Sequence, residues 1–310
     1  MFETSQYYFG DYEVVRLYHA SQDIAMEVIP AFGARLNSLK VKSATHSGIE
    51  IIDGFSSEED IFSDTFYKSA FLFPFPNRLK DGQFEMGGQT FNFPLNEAHR
   101  NNAIHGFIAD LPFGISYIDT KHDYAEIQLE LVHTEQPDYY PFSFKIIVTY
   151  RLDINSDFNV RVDIVNTSDN ELPFGFGWHP YFTFPDWHGV SLKLNDVERI
   201  ELNERALPSG EVSPYSSLNT FKDVRDIQLD DCFLLKTTQS DVACLKNGVA
   251  SLTLWRDVDT IPYLQIFTPQ KECIAIEPMT CNVDALNNKM GLTTLPPGQT
   301  YTTAFGITVT

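Results

Sequence analysis

The sequence predicts an all-β fold, a single large antiparallel β-sandwich spanning residues 1–310. Three observations carry that expectation: apolar and polar residues alternate at period two, turn residues recur at fairly regular intervals, and helical signals are sparse. The clearest alternation runs from Phe144 to Leu152. There Phe144, Ile146, Val148, Tyr150 and Leu152 fall on one face, with Lys145, Thr149 and Arg151 on the other. After the turn-like stretch Asp153–Asp157 the pattern resumes, with Phe158, Val160, Val162 and Ile164 set against Asn159, Arg161 and Asp163. The two segments read as a hairpin of half-buried strands. Similar alternation at Tyr12–Tyr18, Ala25–Ile29, Glu126–Val132, Leu252–Trp255 and Phe305–Val309 predicts further strands.

Turns are expected at Asp81-Gly82, Gly87-Gly88, Asn247-Gly248 and Pro296-Pro297-Gly298, where these residues supply the dihedral angles that tight turns demand. Ser56-Ser57-Glu58-Glu59 resembles a helix N-terminus and predicts a short helix before the aromatic run Phe71–Phe75. No other amphipathic helix, linker, repeat or low-complexity tract stands out. The 25 Phe and 14 Tyr suffice to fill the space between two sheets.

Composition narrows the function. With 42 acidic and 22 basic side chains the formal net charge is −20, which argues against nucleic acid and against an anionic membrane surface. No apolar run approaches the length that spans a bilayer. The segment Met1–Gln6 has neither a basic nor an apolar leader character, so a signal peptide is not expected. Cys232, Cys244, Cys273 and Cys281 lack metal-ligand spacing and read as buried free thiols in a reducing compartment, the cytoplasm.

Four segments carry candidate chemistry. Phe75–Phe84 holds Arg78, whose rigid fork of donors suits sugar hydroxyls or a carboxylate, although a lone Arg is more often a surface residue. Asn101–Phe107 holds His105-Gly106, where the glycine lets backbone approach a ligand; alone, it reads equally as a loop histidine bonded to a carbonyl. Phe174–Phe182 sets six aromatics, His179 among them, within nine residues, the composition of a site that stacks a sugar and bonds its edge, although the run reads equally as core aromatics, His179 less so. Cys273–Thr280 ends an apolar run in Glu277. Burial there would lift the carboxyl from about 4.3 toward neutrality, as a general base requires. The plainer alternative makes Glu277 the first exposed residue past a strand. Asp230-Asp231 before an apolar stretch is a weaker candidate, equally readable as a solvated turn. His19, His46, His99, His122, His133 and His188 read as surface or loop residues.

Taken together, these segments resemble the aldose 1-epimerase (galactose mutarotase) family. The resemblance lies in Asn77-Arg78 with Gly82 and Phe84, in His105-Gly106 and in His179-x-Tyr181-Phe182. It continues in Asp230-x-x-Phe233, in Glu277-Pro278-x-Thr280 leading into Asp284–Asn287, and in Leu295–Thr300. The motifs keep the family's order over residues 75 to 305. Phe107 and Pro180 depart from the common pattern and point to a divergent branch.

The resemblance implies a large antiparallel β-sandwich and an isomerase that opens, rotates and recloses a cyclic hemiacetal. It makes Glu277 the base at O1 and His179 the acid at the ring oxygen. His105 and Arg78 would orient the sugar, Asp230 would accept from its hydroxyls, and Gln265 would line the pocket. It implies no metal or organic cofactor and a small neutral hexose as partner, handled by a monomer or homodimer. A hexose 6-phosphate would need cations, for which Arg78, Lys80 and Arg100 are the nearby candidates. A non-catalytic carbohydrate-binding protein is a second reading, disfavoured because both proton-transfer residues are kept. A metal site of His105, His179 and Glu277 is a third, disfavoured by the lack of closely spaced ligands.

Overall fold

The computed structural model describes all 310 residues. Its strands form three large sheets of five, nine and eight strands, with small two-stranded ribbons between them. Every strand pairing within the large sheets is antiparallel. The expected hairpin is the pair Phe144–Asp153 and Phe158–Asn166, in register from Phe144↔Asn166 to Leu152↔Phe158. Their even-numbered residues from Phe144 to Ile164 are fully buried, because a pleated strand sends alternate side chains to opposite faces. The other five predicted strands lie within Tyr12–His19, Ile24–Ile29, Tyr124–His133, Ser251–Arg256 and Thr300–Val309.

Helix is confined to short pieces. Glu58–Phe62 is capped by the Ser57 side chain, which accepts from the Asp60 backbone N–H, as the sequence predicts. Ala285–Asn288 is a second short helix that the sequence did not announce. No helix is long and apolar enough to cross a membrane.

The nine- and eight-stranded sheets face each other across an aromatic interior. Trp178 of one stacks on Phe305 of the other at 5.3 Å, and Phe71 stacks on Tyr150 at 6.0 Å. Each ring buries roughly 150–250 Å², an upper bound of about 4–6 kcal/mol per ring. These contacts overturn one of the two readings of the aromatic run. Phe174, Phe176, Trp178 and Phe182 are core residues, not a sugar-stacking surface. Two histidines are also corrected: His19 and His133 end strands and are buried, because strand alternation turns both inward. Of the four free cysteines, Cys232, Cys273 and Cys281 are buried, whereas Cys244 is only half-buried.

The eight-stranded sheet builds the floor of a cleft. Strands Asp230–Leu235, Tyr263–Phe267 and Ile274–Met279 are adjacent, with Gln265 opposite both Cys232 and Glu277. Period two sends Phe233, Leu264, Ile266 and Ile276 into the core. The intervening Asp230, Gln265, Phe267 and Glu277 therefore share the opposite face.

Candidate active site

All six residues that the sequence singled out line one cleft of about 520 Å³: Arg78, His105, His179, Asp230, Gln265 and Glu277. That volume lies within the range of small-molecule sites. Glu277 sits inside its strand at 1% exposure, not past a strand end. Arg78 is likewise buried, so the surface-turn alternative fails.

His179 closes the strand Gly177–His179 and brings Nε2 to 3.4 Å from Glu277 Oε1. His179 Nδ1 and Glu277 Oε2 are buried with no protein partner. Such orphaned atoms cost stability unless a ligand meets them. Burial displaces the two groups in opposite directions. It raises the Glu277 carboxyl well above the carboxylate range, helped by the Asp230 charge and opposed by Arg78. It lowers His179 to about 4, which penalises the imidazolium by about 3 kcal/mol. Both shifts favour the uncharged forms, a protonated Glu277 beside a neutral His179. The 3.4 Å separation couples the two groups, so the protonation of one bears on that of the other.

His105 is held from below. Its Nδ1 accepts the Asn77 backbone N–H at 3.2 Å, and its own backbone N–H donates to Asn77 O at 2.8 Å. With Nδ1 used as an acceptor, the ring proton sits on Nε2 and His105 is a neutral donor. Burial lowers its pKa well below the usual histidine value, reinforced by neighbouring His179 and Arg78. The His105 and His179 rings meet edge to face at 5.2 Å. Gly106 follows at φ +67°, and a Cβ there would lie 1.9 Å from Phe73 O, so only glycine lets the loop pass. Tyr67, Asn77 and His105 also take left-handed backbone conformations, which are strained for non-glycine residues and gather at functional sites.

A network fixes the polar wall. Arg78 Nε donates to both carboxylate oxygens of Glu97 at 3.0 Å, and Nη1 donates to Asn77 Oδ1 at 3.2 Å. Nη2 lies 3.6 Å from Asp230 Oδ2. The Gln265 amide is oriented from both ends: its oxygen accepts from Asn77 Nδ2 at 3.1 Å, and its nitrogen donates to Asp230 Oδ1 at 2.9 Å. Asp230 begins its strand with its carboxylate 41% exposed into the cleft. Asp231 pairs instead with Arg199 at 3.3 Å and does not line the cleft.

Several lining residues lay beyond sequence reasoning. Glu97 is one; its only local hint is the spacing to Arg100, whose Nη1 reaches it at 2.9 Å. Arg35, Asp64 and Asp110 form another group, with Arg35 donating to Asp64 at 2.5 Å and to Asp110 at 2.7 Å. These partners stand 29 and 75 residues from Arg35, so no motif could announce them. Aromatic faces reach the cleft from Phe66, Tyr67, Tyr181 and Phe267. Of the three proposed phosphate anchors, Arg78 and Arg100 are paired with Glu97, while Lys80 lies at a separate surface depression. No group of three His, Cys, Asp or Glu side chains converges as metal ligands.

Comparison with known proteins identifies the family. The profile of the family described as Aldose 1-epimerase matches residues 16–308. The chain belongs to that family, whose members are isomerases acting on sugars. Among curated relatives, the uncharacterized protein YihR of Escherichia coli (strain K12) is 27% identical over 256 residues, covering 76% of this chain and 77% of that protein. Galactose mutarotase of Mus musculus is 23% identical over 202 residues, covering 63% and 56%. Among solved structures, a galactose mutarotase-like protein from Clostridium acetobutylicum superposes with a TM-score of 0.88 at 23% identity, covering 100% of this chain and 98% of that one. Galactose 1-epimerase from Lactobacillus acidophilus gives 0.82 at 18%, with the same coverage. At such identities the superpositions establish the fold, a galactose mutarotase-like β-sandwich.

Proposed function

We propose that the protein interconverts the α and β anomers of a neutral hexose, with Glu277 as base and His179 as acid. The observation that carries this reading is the buried His179–Glu277 pair, 3.4 Å apart on the floor of a sugar-sized cleft. Ring opening removes the O1 proton and delivers one to the ring oxygen, and both oxygens sit on the same carbon. With the pair's proton on His179 and Glu277 ionised, Glu277 takes the first while His179 gives the second. Bond rotation then turns the aldehyde, and reclosure runs the transfers backward. His105 Nε2–H and the Arg78 fork orient the sugar and stabilise charge on its oxygens. Asp230 and Gln265 accept from and donate to its hydroxyls.

A neutral sugar is favoured over a hexose 6-phosphate because each arginine of the cleft is already paired with a carboxylate. Arg35 holds Asp64 and Asp110, while Arg78 and Arg100 share Glu97. The four unpaired thiols fit a reducing compartment, so the reading places the enzyme in the cytoplasm.

Polarimetry on freshly dissolved α-D-glucose and α-D-galactose tests the proposal, and acceleration of at least one is expected. Acceleration of hexose 6-phosphates alone would overturn the neutral-sugar assignment. Silence with all of them, alongside measurable sugar binding, would leave a carbohydrate-binding protein.

The site also separates two adjacent acids. Asp230→Ala is expected to raise KM about tenfold or more, the scale of a charged hydrogen bond. Asp231→Ala should leave KM within about twofold, since that side chain faces Arg199. Equal effects in the two variants would remove Asp230 from the sugar site.

A further inference from the structure

We infer that Arg205 is a positioning residue for the sugar site, acting through a hydrogen-bonded strut that ends on Arg78. The inference rests on the reading of Arg78 as a sugar-orienting group. Arg205 does not line the cleft. It stands at the tip of the hairpin Val197–Leu202 and Pro208–Tyr215, on the outer edge of the eight-stranded sheet. The tip is held by its own bonds: Asn203 Oδ1 accepts the backbone N–H groups of Arg205 and Leu207, and Asn203 N donates to Leu207 O at 2.8 Å.

From there the guanidinium reaches across to the turn that precedes His105. Nε donates to Arg100 O at 2.9 Å, and Nη2 lies within bonding distance of Asn101 O (2.7 Å), Asp81 Oδ1 (2.8 Å) and Asn102 Oδ1 (3.1 Å). Asn102 returns a bond from Nδ2 to Arg205 O at 3.0 Å. The same fully buried Asn102 amide donates to Glu97 Oε2 at 3.0 Å, and Glu97 grips Arg78 Nε.

The chain Arg205–Asn102–Glu97–Arg78 thus ties a distant sheet edge to the donor fork in the cleft. The turn Ala98–Asn101 ends in the left-handed Asn101, and its Arg100 and Asn101 carbonyls accept from Arg205. Removing Arg205 leaves the Arg100 and Asn101 carbonyls and one side of the Asn102 amide without these partners. Asn102 Nδ2 keeps its bonds to Glu97 and to the main-chain oxygen of residue 205, so the loss falls on the turn and on Asn102 Oδ1, which loosens the amide that backs Glu97. A guanidinium serves here because its planar fork meets several oxygens at once, which an ammonium cannot do.

The test reads Arg78 itself. In proton–nitrogen NMR spectra, the Arg78 Nε–H signal is assigned by its loss in Arg78→Lys, and its hydrogen exchange is timed. Arg205→Ala is expected to speed that exchange about tenfold or more, with Arg205→Lys recovering part of the protection. Unchanged exchange in Arg205→Ala overturns the inference whatever reaction the protein catalyses. Arg205→Gln repeats the measurement should the alanine variant fold poorly. In the polarimetric assay Arg205→Ala is expected to raise KM about five- to tenfold with kcat within about twofold. In an Arg78→Lys background it should add nothing further, since the two act as a unit. Additive effects, or a kcat loss at constant KM, overturn the strut. A wild-type protein that accelerates no sugar overturns the functional reading alone, and the exchange measurement still decides the strut.

Discussion

Glu277→Gln is expected to lower kcat by about 10²–10⁴-fold, the scale of a positioned proton-transfer group. The amide keeps the shape and volume of the carboxyl at this buried position. It cannot accept the O1 proton. The variant should remain folded, because burial favours the uncharged form of the Glu277 carboxyl, and a neutral amide adds no buried charge. Matched melting curves and polarimetric rates for the two proteins check this. A folded variant that retains wild-type turnover would remove Glu277 from the base role.

His179→Asn should reduce kcat by a similar factor while changing KM by less than about threefold, since the acid acts on the reacting oxygen and not on the orienting hydroxyls. A change confined to KM would reassign His179 to orientation. The pH profile sharpens the prediction. The active pair carries one proton. Below about 4 a second proton occupies His179 while Glu277 is still protonated, so no base remains and the rate falls. At high pH the pair loses its only proton, no acid remains, and the rate falls again. That alkaline limb lies well above the ordinary glutamate range, because burial and Asp230 hold the proton on Glu277. The wild-type profile of kcat/KM should therefore be bell-shaped with its acid limb near 4. His179→Asn should lose that limb. The two limbs belong to the pair as a unit, as coupled titrations do.

Strand alternation made most of the architecture readable beforehand. The Phe144–Leu152 and Phe158–Ile164 faces appear as expected because burial of one strand face is a local, period-two property. The Ser57-capped helix was legible for the same reason, its signal lying within four residues. The aromatic run at Phe174–Phe182 reads equally as core or as site from the sequence. Alternation sends Phe174, Phe176 and Trp178 to the core and His179 toward the cleft, and aromatic content alone does not reveal which face meets a ligand. His19 and His133 escaped for a related reason: one polar residue at the end of an alternating strand carries no mark of the direction it faces.

The residue types proposed for proton transfer, and the order in which they follow one another, are written along the chain, because acidity and basicity belong to individual side chains. Their protonation states are not. Glu277 and His179 stand 98 residues apart, and only the pairing of their strands in one buried sheet places them within 3.4 Å and strips both of water. The same holds for the supports of Arg78. Glu97, Asn102 and Arg205 converge because a hairpin from a distant sheet edge folds against the turn before His105. Hydrogen bonds of about 3 Å and desolvation both depend on what lies nearby in space, and covalent order constrains that only weakly over a hundred residues.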